Sequence, residues 1–217
     1  ADSSRERRKL GETLLDGAHL VEAYLEAFGE PKLLIIPEGE STAEVTYLTQ
    51  QLADIPTVMF PTLMFQELAP VASPTGILAL VKTPTIAPPE ALNFVLMLED
   101  IQDPGNLGSM LRTAAAAGVD AVYLSEGCTE AWSPKALRGG QGAQFVLPIV
   151  ERADLVAFAA EFKGQVLATT LQGDSIYQVD MTKPTAIAIG NEGNGLSVAM
   201  QKAASHQVTI PIAGLES

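Results

Sequence analysis

Cysteine is almost missing from this chain: one, Cys128, stands in 217 residues, so no internal disulfide can form and a disulfide-built miniature scaffold is excluded. Only two histidines, His19 and His206, accompany it, and no zinc-ligand spacing, phosphate-binding loop or nucleophile elbow occurs, so no metal centre is expected. Long apolar runs are also absent. Phe94 to Leu98 with its neighbours, like every other such run, falls far short of the roughly 20 residues a membrane span needs. No secretory apolar segment precedes the first domain, which makes the cytoplasm the expected compartment, with no membrane partner. Positive charge is scarce, 13 Lys and Arg against 26 Asp and Glu, a formal net charge of −13. Such a surface excludes indiscriminate nucleic-acid binding, and any contact with phosphates has to come from local basic patches.

What remains is a globular composition, 47% hydrophobic and 18% charged, too apolar for intrinsic disorder. The length allows one or two domains at about 150 residues each. With Ala1 in place of a methionine at the start, and no capping structure after the last apolar strand before Ser217, both ends are expected to be trimmed or unseen.

Along the first third, Val21, Leu25 and Phe28 give a helical apolar stripe that stops at Gly29. Leu33 to Ile36, Thr57 to Phe60 and Gly76 to Val81 read as strands; Ser41 with Glu44 reads as a capping box opening a helix through Leu52, and a short helix follows Pro61. The stretch Thr83 to Pro89 is stiff and proline-rich, and it marks a domain boundary. Beyond it, Asn93 to Leu98 suits a strand buried on both faces of a parallel sheet. Leu107, Met110, Leu111, Ala114 and Ala115 then form a helical face, with Asn106 as its cap and Gly118 as its stop. Strands at Ala121 to Leu124, Phe145 to Ile149, Val166 to Thr170, Ala186 to Ile189 and Val208 to Ile210, alternating with helices capped by Ser133, Asp154 and Ser197, predict a mostly parallel α/β sheet.

In such sheets ligands gather at the carboxyl ends of strands. Two polar, glycine-rich loops lie there, Glu99 to Arg112 and Gly190 to Ser197, whose backbone N–H groups can receive a polar or anionic ligand. Taken singly, Asn106 is a helix cap, Arg112 a solvated helix residue and Glu192 a turn residue. The order of Gly190, Gly193 and Gly195 is not the dinucleotide fingerprint, which disfavours a nicotinamide oxidoreductase.

Together, three segments resemble one family. Asn106-Leu107-Gly108 through Arg112-Thr113-Ala114 is similar to motif 1 of the SpoU (TrmH-like) branch of the SPOUT methyltransferases. Ile189-Gly190-Asn191-Glu192-Gly193-Asn194-Gly195-Leu196-Ser197 is similar to motif 2, and Ile210-Pro211-Ile212-Ala213-Gly214-Leu215-Glu216-Ser217 to the opening of motif 3. The resemblance covers Leu92 to Ser217. More loosely, Arg7-Arg8-Lys9 through Val21 resembles the small substrate-binding module that precedes many family members.

The resemblance implies residues 1–83 as an L30e-like α/β RNA-binding domain, 84–90 as a linker, and 91–217 as a catalytic domain with a C-terminal trefoil knot, an exception to unthreaded topology. It implies S-adenosylmethionine-dependent methylation of an RNA ribose 2′-hydroxyl by a homodimer, with ribosomal RNA preferred over transfer RNA because of the separate N-terminal module. Thr169, Gly190 and Ile210 would line the methyl donor. Asn106, Arg112, Glu192 and Ser217 would surround the reacting hydroxyl, and Arg5, Arg7, Arg8, Lys9, Lys135 and Arg138 would meet phosphates. An arginine hardly deprotonates, so Arg112 reads as an anchor for hydroxyl or phosphate, with Glu192 open to a base role. Two departures stand out: motif 3 stops at Ser217, and the family's Arg-Ala-Ser-x-Gly-Ala appears as Arg138-Gly139-Gly140-Gln141-Gly142-Ala143, without the serine. A catalytically silent RNA-binding or assembly protein on the same fold is the rival reading.

Overall fold

The computed structural model describes residues 3–69 and 75–211. The chain divides into one compact unit of Ala1–Thr85, Pro104–Arg112 and Glu130–Val146, and a second of Ile86–Asp103, Thr113–Thr129 and Leu147–Ser217. The proline-rich stretch forms no helix or strand, and two segments beyond it pack with the N-terminal unit.

The first unit holds a four-stranded sheet. In it β1 (Glu12–Asp16) and β2 (Leu33–Pro37) run antiparallel to β4 (Leu78–Lys82), which lies between them, and β3 (Thr57–Phe60) pairs parallel with β2. Around the sheet come α1 (Ser4–Leu10), α2 (Ala18–Phe28), α3 (Ala43–Gln51), α4 (Thr62–Leu68) and α6 (Pro134–Gly140). Helix α2 buries Leu20, Val21 and Tyr24, and Leu137 and Phe145 complete the same core around Leu15.

The second unit is a six-stranded sheet, parallel throughout. Its order is β10 (His206–Thr209), β8 (Gln165–Ser175), β9 (Thr185–Ile189), β5 (Phe94–Leu98), β6 (Ala121–Ser125) and β7 (Ile149–Ala153). Val95 and Met97 of the central β5 are fully buried, which is why this run carries no polar alternation. Helices α7 (Leu155–Glu161) and α8 (Val198–Ala203) start at Asp154 and Ser197, whose side chains accept from Ala157 N and Met200 N. Helix α5 (Pro104–Ala116) runs through the division, which falls after Arg112. Among the described residues, no helix is long and apolar enough to cross a membrane.

Several local expectations change. Helix α5 begins at Pro104, a residue suited to the first helical position, which puts Asn106 inside the first turn and not at the cap. Thr42, not Ser41, caps α3, accepting from Val45 N at 3.2 Å. Ala143–Phe145 is a single 3-10 turn in place of the expected extended segment, and the strand begins only at Ile149. Helix α1 and strand β1 add to the elements expected from the sequence.

Candidate active site

The site is assembled where β8, β9 and β10 end. Strand β8 leaves its neighbour after Ala168, which pairs with Gln207, and returns at Asp174, which pairs with Val208. Residues 169–173 therefore loop outward at the carboxyl edge. Gly173 makes the return possible, because a β-carbon there would lie 2.7 Å from the Gln207 carbonyl oxygen. Thr169 is fixed at the base of the excursion by donating to Ala188 O at 2.8 Å.

Facing it is the loop after β9. Asn191 and Gly195 form an isolated antiparallel bridge, with Gly195 N donating to Asn191 O at 2.9 Å. The Asn191 Oδ1 accepts from Gly193 N at 2.9 Å and Asn194 N at 3.0 Å, so one side chain closes the turn from inside. Gly195 sits at φ 68°, a left-handed conformation that glycine adopts freely. Gly190 has another reason to be glycine: a β-carbon there would collide with the backbone of Gly195 and Leu196.

The preceding strand loop holds this turn in place. Glu99 accepts from Ser197 N at 2.6 Å and Ser197 Oγ at 2.9 Å. Asp100, at φ 54°, turns its carbonyl toward two amides, accepting from Asn191 Nδ2 at 2.7 Å and Gln102 Nε2 at 3.3 Å. Glu192 in turn accepts from Gln102 N at 3.2 Å and Asp103 N at 3.3 Å. Its own backbone N–H, followed by those of Asp103 and Gln102, holds the carboxyl below the usual glutamate range. Cys128 belongs to the same loop cluster, donating to Leu98 O at 3.3 Å, and burial pushes its thiol up, which marks it as packing and not as a nucleophile.

Between the excursion and the turn lies a cleft of about 670 Å³. Its lining joins three stretches distant in sequence: Thr169 to Gln172, Ile189 to Leu196, and Thr209 with Ile210, with Gln201 and Gln207 beside them. Thr169, Gly190 and Ile210, which the resemblance assigned to the donor, share this one cleft, and Glu192 lines it too.

A profile of the SpoU rRNA Methylase family matches residues 93–217. The chain belongs to that family. Among its SpoU relatives, the 23S rRNA (guanosine(2553)-2'-O)-methyltransferase RlmP of Bacillus subtilis is 32% identical, over 98% of this chain and 84% of that protein. An uncharacterized tRNA/rRNA methyltransferase of Synechocystis is 31% identical, over 94% of this chain and 77% of its own length. The crystal structure of the SpoU methyltransferase AviRb from Streptomyces viridochromogenes, in complex with the cofactor AdoMet, matches with a TM-score of 0.84 at 25% identity, covering 99% of this chain and 86% of that one.

The remaining residues singled out by the SpoU resemblance lie as follows. Asn106 is in the first turn of α5, and Arg112 further along the helix is exposed, its side chain in no hydrogen bond or ion pair among the described residues. Ser217 lies outside the described residues. Arg5, Lys9 and Lys135 are exposed. Arg7 and Arg8 are engaged by Glu130, at 2.8 and 3.2 Å, and Arg138 by the buried Asp16, at 2.9 Å. Glu99 and Asp100 are the site residues that sequence reasoning misses. Each acts through a partner some ninety residues away, and no local pattern in the sequence signals such a bond.

Proposed function

We propose that the protein is an S-adenosylmethionine-dependent RNA ribose 2′-O-methyltransferase that acts on ribosomal RNA as a cytoplasmic homodimer. The observation that carries this reading is the convergence of Thr169, Gly190 and Ile210 on one cleft at the carboxyl edge of a parallel sheet, in a chain of the SpoU family. At about 670 Å³ the cleft falls within the range of small-molecule sites, roughly 300 to 1,000 Å³. Its lining suits a nucleoside-like donor: backbone groups of the 190–195 turn and amides of Gln172 and Gln201 at hand, with Ile189, Leu196 and Ile210 for the apolar parts.

Bound S-adenosylmethionine supplies a methyl group on a sulfonium, already activated for transfer to a nucleophile. The chain's task is to bring a ribose hydroxyl to it in line and keep water away. Arg112, exposed and unpaired, anchors the hydroxyl or its neighbouring phosphate as a permanent cation. Asn106 supports that helix turn. Glu192, whose carboxyl is held low, is a poor proton acceptor near neutrality and serves as the clamp that ties its loop to Gln102 and Asp103. The hydroxyl proton then leaves to solvent or to a phosphate oxygen. The RNA class is drawn from the relatives' names and the separate N-terminal sheet; transfer RNA is the other outcome of the test.

A calorimetric titration with S-adenosylmethionine and, separately, with NAD tests the cleft. Saturable binding of the first and none of the second is expected. Binding of NAD alone would overturn the reading.

A further inference from the structure

In the first unit, α5 and α6 cross with no side chain between them. A β-carbon on Gly108 would collide with the Ala136 carbonyl and lie 2.8 Å from Gly139 Cα. From the other side, a β-carbon on Gly139 would lie 3.0 Å from Gly105 O and 3.3 Å from Gly108 Cα. Arg112 follows Gly108 by four residues, one turn on along the same face of α5. Helices in backbone contact have no rotamers to absorb a shift, so wherever α6 goes, this part of α5 follows.

Helix α6 is in turn bound to the N-terminal sheet by polar contacts that the reaction itself does not use. Arg138 Nη1 donates to Asp16 Oδ2 at 2.9 Å, and the Asp16 side chain, at the end of β1, has no exposed surface. Thr75 Oγ1 donates to the other carboxylate oxygen at 3.0 Å. Just ahead of α6, the Trp132 carbonyl accepts from Thr13 Oγ1 at 2.6 Å. The fully buried Gln144 donates to Ala131 O at 3.1 Å and Ala136 O at 2.9 Å, stitching the approach to α6 onto its first turn. A buried carboxylate that loses its cation forces a rearrangement, because the uncompensated charge cannot stay where it is.

We infer that Asp16 and Arg138 are positioning residues for methyl transfer: through α6 and its glycine crossing they hold α5 so that Arg112 keeps its working orientation. This assigns Arg138 a task other than gripping phosphate, and it rests on the reading of Arg112 as a residue of the reaction. The family's serine falls at position 140, where a β-carbon would collide with the side chain of the buried Gln144.

The test compares Asp16→Asn, Arg138→Gln, the double variant, Gly139→Ala and Arg112→Ala, each checked for folding by circular dichroism. Turnover is measured with S-adenosylmethionine and an unmodified ribosomal RNA transcript, and RNA affinity is followed across salt concentration. Asp16→Asn, Arg138→Gln and Gly139→Ala are expected to lower kcat about ten- to a hundredfold, as small misplacements do, with RNA affinity and its salt slope unchanged. The double variant should be no worse than the worse single, since both break the same ion pair. A salt slope reduced by about 0.7 to 0.9 in Arg138→Gln but not in Asp16→Asn would make Arg138 a phosphate ligand and overturn the inference. So would wild-type kcat in Asp16→Asn and Gly139→Ala while Arg112→Ala is inactive. If Arg112→Ala itself stays active, the reading of Arg112 falls, and the positioning role with it.

Discussion

At the scale of single residues, Gly190 and Gly193 of motif 2 separate sharply. Adding a methyl group at Gly190 drives it into the backbone of Gly195 and Leu196, which cannot rotate away, whereas at Gly193 the nearest atom is the Asn191 Oδ1 at 3.5 Å, an ordinary van der Waals distance. Gly190→Ala is therefore expected to weaken S-adenosylmethionine binding by at least about tenfold, roughly 1.4 kcal/mol, and Gly193→Ala to leave it within about twofold, as calorimetry would show. The reason is the turn's own backbone and not the space a donor fills, a distinction no sequence motif carries. Glu192 gives a second expectation. Its carboxyl is lower in the folded protein than in the unfolded chain, so its contribution is complete above the unfolded value of about 4.3 and disappears as pH falls through the lower folded value. Donor binding should stay level from pH 8 down to about 5 and decline only in stronger acid. An acid limb near neutrality in the transfer rate, absent from Glu192→Gln, would show instead that Glu192 is the base.

Elements are legible in the sequence where one signal decides them. The stop of α2 at Gly29, the apolar run of β5, and Asp154 and Ser197 as caps rest on local signals, and the structure has them as expected, whereas the buried face of α2 is Leu20, Val21 and Tyr24 and leaves Phe28 exposed. Strand β1 is not legible, because Thr13, Leu14 and Leu15 are too short a run to stand out and their partner β4 lies more than sixty residues away. A separation of 122 residues hides the allegiance of α6, whose charged residues read as solvated until Asp16 is seen beneath Arg138. In the site, motif 2 reads as a loop, but the bonds from Glu99 and Asp100 that hold it do not show. Caps sit between these cases, since Ser41 and Thr42 are both competent and only geometry chooses. Thr42→Ala should lower stability by about 1 kcal/mol and Ser41→Ala by a few tenths at most, a difference that denaturant titration resolves.

For the whole molecule, charge is the governing constraint. With a net charge of −13, RNA has to be met by cations not already committed, and much of the basic inventory is committed: Arg7 and Arg8 to Glu130, Arg138 to Asp16, Arg152 to Glu126 and Lys32 to Glu12. Of the cations that the SpoU resemblance sets against phosphates, Arg5, Lys9 and Lys135 stay exposed and outside these ion pairs. Replacing these three by alanine should reduce the slope of log affinity against log salt by roughly 0.7 to 0.9 for each phosphate no longer neutralised, with donor binding intact. An unchanged slope would move RNA recognition elsewhere on the surface. The central claim, transfer of a methyl group to a ribose hydroxyl of ribosomal RNA, is tested most directly by nucleoside mass spectrometry after incubation with deuterium-methyl S-adenosylmethionine and unmodified ribosomal RNA. One labelled 2′-O-methylnucleoside, missing when Arg112→Ala replaces the wild type, is the result the account predicts; label on a base, on transfer RNA alone or on nothing would contradict it.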